Sequence, residues 1–155
     1  MPHIHEKIDF TVEVFIVYKD KVLLRLHEKY KLWLSVGGHI ELDEDPNQAA
    51  LREAKEEVGL DIRLADDLLP FESESDDYHE LIPPKFLNMN RISPTHQHVT
   101  LTYFARTASD KVVPEKSDDQ WKWVDAAGLK AMDLRPSIRF YAERALKELG
   151  KAGNI

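Results

Sequence analysis

The sequence predicts an α/β protein in which helices pack on a mixed β-sheet. Three observations predict it. Runs rich in β-branched and aromatic residues recur at strand length along the chain. One of them delivers the chain through Gly37-Gly38 to a capped, acidic helical segment. A second segment with apolar residues at helical spacing closes the chain.

Asp9–Tyr18, DFTVEVFIVY, reads as the first strand. Lys19-Asp20-Lys21 is a turn and Val22–His27 a second strand, so the two form a hairpin. Leu32–Val36 is a short strand leading to Gly37-Gly38. Asp45-Pro46 starts a helix: Asp accepts a bond from a free backbone N–H, and Pro at the first helical position has no donor to lose. Gly59 stops that helix by taking the left-handed conformation. Leu60–Leu64 returns as a strand. The stretch 66–84 is acidic, rich in turn residues and aperiodic, and reads as loop. Phe86–Ile92 and Val99–Arg106 are strands around the turn at Ser93-Pro94-Thr95. A polar loop over 107–119 precedes a short strand, Gln120–Val124. Asp125 caps a short helix running through Met132. Pro136 opens a terminal helix, with Ile138, Tyr141, Ala142, Ala145 and Leu149 on one face. No linker or repeat divides the chain, so residues 1–155 are expected to form a single domain.

Composition narrows the function. Hydrophobic residues at 43% and charged residues at 32% suit a soluble globular chain. No apolar stretch approaches the roughly 20 residues of a membrane helix. The N-terminus lacks a signal-peptide core, and the expected location is cytoplasmic. Zero cysteines exclude disulfides, thiol catalysis and cysteine-based zinc sites. A formal charge of −7 argues against broad electrostatic capture of nucleic acid. It leaves room for a small phosphate substrate bridged by a divalent cation. Monomer and homodimer are equally compatible with the sequence.

The segment Gly38–Leu60, GHIELDEDPNQAALREAKEEVGL, concentrates acid. With about 100° per residue and Glu53 at zero, Glu56 lies at about −60° and Glu57 at about +40°. Arg52 lies at about −100°, beside Glu56. Ala50, Leu51, Ala54 and Val58 form an adjacent apolar flank able to pack on a sheet. A solvated Glu-rich face with an Arg52–Glu56 pair, worth about 0.3–0.5 kcal/mol, is one reading of such a helix. A divalent-cation site is the other. Three carboxylates on one side repel each other without a cation, and magnesium takes oxygen ligands.

The same residues resemble the Nudix box, G-x5-E-x7-R-E-U-x-E-E-x-G-U, where U is aliphatic. Gly38, Glu44, Arg52, Glu53, Glu56, Glu57 and Gly59 fill every fixed position, and Ala54 and Leu60 fill the aliphatic ones. One departure lies upstream: Ser35-Val36-Gly37-Gly38 stands where such chains often read Leu-Pro-Gly-Gly. The change removes no chemical group. The resemblance implies an α/β/α sandwich with the box helix beside the sheet. It also implies a metal-dependent hydrolase of a nucleoside diphosphate linked to another group. By position, Glu56 and Glu57 are the principal magnesium ligands, with manganese as the alternative ion. Glu53 is a further ligand or orients the attacking water. Arg52 holds Glu53 or Glu56, Glu44 supports the site at longer range, and the Gly37–Gly38 backbone offers the metal a carbonyl.

Outside the box the signals are sparser. Relatives of this kind often recruit a carboxylate from the loop ahead of a Trp-bearing strand. Here that loop is Glu115-Lys116-Ser117-Asp118-Asp119, and Asp119 is the first candidate for base or extra ligand, against an ordinary acidic loop. His96-Gln97-His98 puts two imidazoles on one face of an extended chain, able to contact phosphate or a metal, but no third metal ligand stands at an informative spacing, which favours solvated side chains, with a substrate contact as the alternative. Arg91 is a candidate phosphate contact or a surface charge. Trp33 and Tyr78 are candidates for base stacking, worth about 1–3 kcal/mol per base, against ordinary packing roles.

The expected activity is therefore magnesium-dependent cleavage of a small nucleotide, either a nucleoside triphosphate or a dinucleoside polyphosphate. The alternatives are removal of pyrophosphate from an RNA 5′ end, and a nucleotide-sensing module without turnover.

Overall fold

An 11-residue strand, β1 (Ile8–Tyr18), organises the sheet. The structure, a computed structural model, describes residues 5–28, 30–73 and 75–150. After β1 come β2 (Lys21–His27), β3 (Leu32–Leu34), β4 (Val36–His39), α1 (Pro46–Val58), β5 (Ile62–Leu64), β6 (Phe86–Ser93), β7 (His96–Thr107), β8 (Gln120–Val124), α2 (Ala126–Ala131) and α3 (Pro136–Leu149). The path through the sheet is β3-β2-β1-β7-β5, with β4 also on β1, β6 on β7 and β8 on β2. The β1–β7 pair is parallel and the other pairs are antiparallel, so the sheet is mixed as expected.

Period-two alternation sends β1 side chains to opposite faces. Val12, Val14 and Ile16 pack with Ala49, Ala50, Ala54 and Val58 of α1. Phe15 and Val17 pack on the other side with Leu129 of α2 and with Ile138, Ala142 and Ala145 of α3. Helices thus lie on both faces, the α/β/α arrangement. The three alanines on α1 present little more than a methyl each, which lets the helix approach the sheet closely. Asp45 caps α1 in a reciprocal capping box with Gln48, an arrangement worth about 1 kcal/mol. Gly59 ends it at φ 67°, where a residue with a Cβ would be strained. Asp125 likewise caps α2 through the Gly128 N–H.

Three details differ from expectation. The stretch read as one strand, Leu32–Val36, is two, because the chain changes partner at Ser35: β3 pairs with β2 and β4 with β1. β7 begins at His96 rather than Val99, because both its neighbours extend that far: Ile8 pairs with Gln97, and Ser93 with His96. Leu51 is 43% exposed rather than packed, while Ala49 is buried. The buried arc of α1 therefore runs from Ala49 through Glu53 to Val58. Acid and apolar flanks overlap, and Glu53 sits inside the packed face. Among the described residues, no helix is long and apolar enough to cross a membrane.

Candidate active site

Arg52 is the centre of the acidic cluster. Its Nη2 and Nε donate to Glu44, at 2.6 and 2.9 Å. Nη1 donates to Glu53 at 3.0 Å and to Glu56 at 3.1 Å. Nη2 also reaches the His39 carbonyl at 2.9 Å, tying the helix to β4. A guanidinium can engage this many acceptors because it carries five N–H groups in a fixed plane. Glu44 also accepts from the Glu41 N–H, and Arg52 holds its carboxyl below the usual range. The longer-range support expected of Glu44 is thus a direct contact with Arg52.

Glu57 lies one turn further along the helix, on its sheet side. Its Oε1 accepts from the Gly37 N–H at 2.8 Å and its Oε2 from Arg25 at 3.2 Å. Gly38 is the cradle for Glu53. A Cβ at position 38 would stand 2.2 Å from Glu53 Oε1, so only glycine leaves room for the carboxylate. Burial, then the Glu57 charge, pushes the Glu53 carboxyl up to about 7. Burial pushes Glu57 up to about 7 as well, with Glu115 and Asp119 adding to it. A buried and a half-buried carboxylate that resist ionising side by side fit a divalent cation, whose charge relieves both penalties. The residues that would hold it are Glu53, Glu56 and Glu57, beside the Gly37–Gly38 backbone.

Glu57, Gly37 and Gly38 line one wall of a cleft of about 490 Å³. Its floor is the N-terminal half of β1 and the strands beside it. In register, Asp9 lies opposite His98 and His98 opposite Asn90, Thr11 lies opposite Thr100 and Thr100 opposite Asn88, and Glu13 lies opposite Thr102. The start of α3, with Arg135, Ser137 and Tyr141, forms the far wall. A larger concavity of about 750 Å³ lies elsewhere, around Lys85, but that lysine is paired with Asp67 and Glu148.

Asp119 comes within 4.0 Å of Arg25, and its charge acts on Glu57. Asp118 and Asp119 both line an outer concavity with Arg25, Lys31 and Lys116, and neither carboxylate is in the cleft lining. The other expected contacts stand apart from the cleft lining. Trp33 packs against the core under α3. Tyr78 is exposed and donates to Glu80. Arg91 is exposed on β6. His96 is buried, which overturns its reading as a solvated side chain, and His98 is half-buried on the cleft floor.

Arg25 and Glu13 are among the cleft residues that escape the sequence reading. Arg25 bridges Glu57 and Asp119. Its signal is a lone charge within the apolar run VLLRL. Glu13 lies on the cleft floor, pushed up to about 7 by burial and opposed by hydrogen bonds from Ser35 and Thr102. Its signal is the alternation Asp9, Thr11, Glu13 within the first strand.

A mixed sheet sandwiched by helices, with a carboxylate helix that sets Glu57 on a cleft wall, fits a hydrolase of pyrophosphate bonds, a class that generally depends on a divalent metal. The chain belongs to the Nudix hydrolase family: the NUDIX domain model matches residues 9–144. Among solved structures, it is similar to a NUDIX-family hydrolase from Clostridium perfringens at 38% identity and TM-score 0.78, covering 91% of this chain and 97% of that one. It shares its fold with a MutT NUDIX hydrolase from Burkholderia pseudomallei (18% identity, TM-score 0.62, covering 93% and 99%). The MutT protein from Methanosarcina mazei Go1 has the same fold (17% identity, TM-score 0.65, covering 94% and 97%). No curated protein matches the sequence.

Proposed function

We propose that the protein uses Mg²⁺, or Mn²⁺ in its place, to cleave the diphosphate linkage of a small nucleotide, either a nucleoside triphosphate or a dinucleoside polyphosphate. The observation that carries this reading is Glu57, held by the Gly37 N–H and Arg25 on the wall of a cleft of about 490 Å³, one helical turn from the Glu53 carboxylate that Arg52 braces. That volume lies in the range of small-molecule sites. The bound cation supplies charge neutralisation at the phosphate oxygens. The chain's own residues do the rest. Arg52 fixes Glu53 and Glu56, while the Gly37 N–H and Arg25 fix Glu57. Asp119, or failing it Glu53, takes the proton of the water that attacks phosphorus. The P–O bond to the bridging oxygen breaks, and phosphate with a nucleotide, or two nucleotides, leave.

Substrate selection belongs to the cleft floor and its far wall. Asn88, Asn90 and Tyr141 stand there for base and sugar contacts. Trp33, Tyr78 and Arg91, outside that lining, are assigned a secondary part in ranking substrates. The absence of cysteine suits work in the cytoplasm.

The test is a product screen with Mg²⁺ that reads phosphate, pyrophosphate and nucleotides released from nucleoside triphosphates and dinucleoside polyphosphates, with 5′-triphosphorylated RNA as a further arm. Turnover of a small nucleotide that disappears in Glu57→Gln is the expected result. Turnover confined to RNA, or nucleotide binding with no turnover, would replace this reading with one of the two alternatives.

A further inference from the structure

A second group of metal-type donors stands apart from the helix carboxylates. Asp9 on β1, His39 on β4 and His98 on β7 each bring one ligand atom into a set whose members all lie within 4.8 Å of one another. The sheet builds the group. Asp9 is directly opposite His98, and His39 is opposite Thr11, the next β1 residue on the face that Asp9 shares. These three positions are far apart in sequence, which is why the pair His96 and His98 showed no third ligand there.

The cluster is built around a buried acid. Asp9 is fully buried, and a buried carboxylate is costly unless it is paired. Its Oδ2 is approached by His39 Nε2 at 3.3 Å and His96 Nε2 at 3.4 Å. Its Oδ1 accepts from the His5 N–H. The tautomer of His96 follows from its other nitrogen: Nδ1 lies 2.9 Å from the Glu6 carbonyl oxygen, which can only accept, so Nδ1 carries a proton. The His39 and His98 rings meet edge to face at 4.9 Å, and His96 and His98 at 5.2 Å, so three imidazoles surround one acid.

We infer that Asp9, His39 and His98 form a second cation site, one that takes a d-block divalent ion such as Zn²⁺ in preference to Mg²⁺. His96 supports Asp9 from behind. Two imidazoles and a carboxylate suit zinc-like ions, whereas magnesium favours an all-oxygen shell. The geometry is close to what such an ion needs. Ligands about 2.0–2.2 Å from zinc stand about 3.4 Å apart along a tetrahedral edge. The His39–Asp9 separation of 3.3 Å already matches that edge. The remaining separations, bounded by 4.8 Å, close through rotation of the half-buried His98. Three protein ligands leave a position open. His39 and His98 line the same cleft as Glu57, so a ligand in that cleft can fill the open position.

The test uses the full chain stripped by chelator, then saturated with Mg²⁺ to occupy the helix carboxylates, and does not depend on activity. Co²⁺ titration is expected to give a visible d–d band that saturates at one equivalent, and Zn²⁺ to raise Tm above the Mg²⁺ value. His98→Ala should abolish both, and His98→Gln should do so where the alanine variant fails to fold. Glu57→Gln should retain both. The inference is overturned if wild type shows neither signal, if both His98 variants fold and keep them, or if they vanish only in Glu57→Gln, which would place the cobalt at the helix.

Discussion

Gly38→Ala isolates the placement of Glu53 from its charge. The backbone at position 38 does not require positive φ, so alanine brings no backbone strain of its own. The conflict is with the side chain opposite. The new Cβ would stand 2.2 Å from Glu53 Oε1 and 2.5 Å from its carboxyl carbon, and ordinary contact begins at 3.4 Å. Glu53 must therefore retreat by about 1.2 Å and loosen its bond to Arg52. A misplacement of about 1 Å in a reacting constellation costs on the order of 10²-fold in rate. The folding cost is small by comparison, because the displaced carboxylate is one that burial already penalises. Gly37→Ala is the contrasting control. There the Cβ meets the Val12 carbonyl oxygen at 2.3 Å, backbone that can yield only if β4 parts from β1. It should cost about 1–3 kcal/mol of stability, seen as a fall in Tm of several degrees. Steady-state kinetics with thermal melts of both variants check the pair. A Gly38→Ala enzyme with near-wild-type kcat would refute the reasoning, since Glu53 would then be free to sit elsewhere.

Further outcomes follow from the same contacts. Arg25→Ala should lower activity or divalent-cation affinity by about 10–100-fold, because Arg25 orients Glu57 without itself touching the metal; a cation titration of activity measures it. Asp119→Asn should lower kcat far more than it changes KM, while Asp118→Asn stays near wild type; equal, minor effects would return the proton-accepting role to Glu53. Metal-free stability should fall as pH rises from about 4.5 to above 7. Glu53 and Glu57 titrate near 7 in the fold against 4.5 outside it, so the native state binds more protons in that window and each pH step favours unfolding. The lowered pKa values of Glu44 and Asp67 act at more acidic pH. Melts in chelator from pH 5 to 8 check the slope, and Mg²⁺ added at pH 8 should reverse the loss. Glu57→Gln should melt higher than wild type without metal at pH 8 while losing most turnover.

The box helix was legible because its limits and its chemistry are local. Asp45, Pro46 and Gly59 mark its ends within the sequence, and a period of 3.6 residues places Glu53, Glu56 and Glu57 on one arc without knowledge of anything else. What the period could not give was depth. Burial of Glu53 depends on Gly38 lying across from it on another element. The strand residues were hidden for a related reason. Asp9, His39 and His98 meet only through the order and register of β4, β1 and β7, and nothing local to any one strand names its neighbours. Glu13 and Arg25 were visible as isolated charges in apolar runs, but their partners were not. The loop 66–84 was legible as loop from its turn residues, yet its aperiodicity carried no information about where Tyr78 would point.

The cleft's position follows from a mismatch of lengths. β1 has 11 residues and at about 3.3 Å each spans about 36 Å. α3 has 14 residues but rises only about 1.5 Å per residue, about 21 Å in all. Even laid along the strand, the helix leaves roughly 15 Å of β1 uncovered on that face. The sequence of β1 records the boundary. Phe15 and Val17, beneath the helix, are apolar and buried, whereas Asp9, Thr11 and Glu13, beyond it, are polar. The helix starts at Pro136, beside Arg135, Ser137 and Tyr141 on the cleft wall, because proline at its first turn forbids continuation toward the N-terminus. On the opposite face α1 brings Glu57 to the same end of the sheet through the Gly37 N–H. Lengthening α3 at its N-terminus by one turn would therefore roof over Glu13 and Thr11. It would cost substrate access before it cost stability, which places the site's location in the chain's element lengths as much as in its motif.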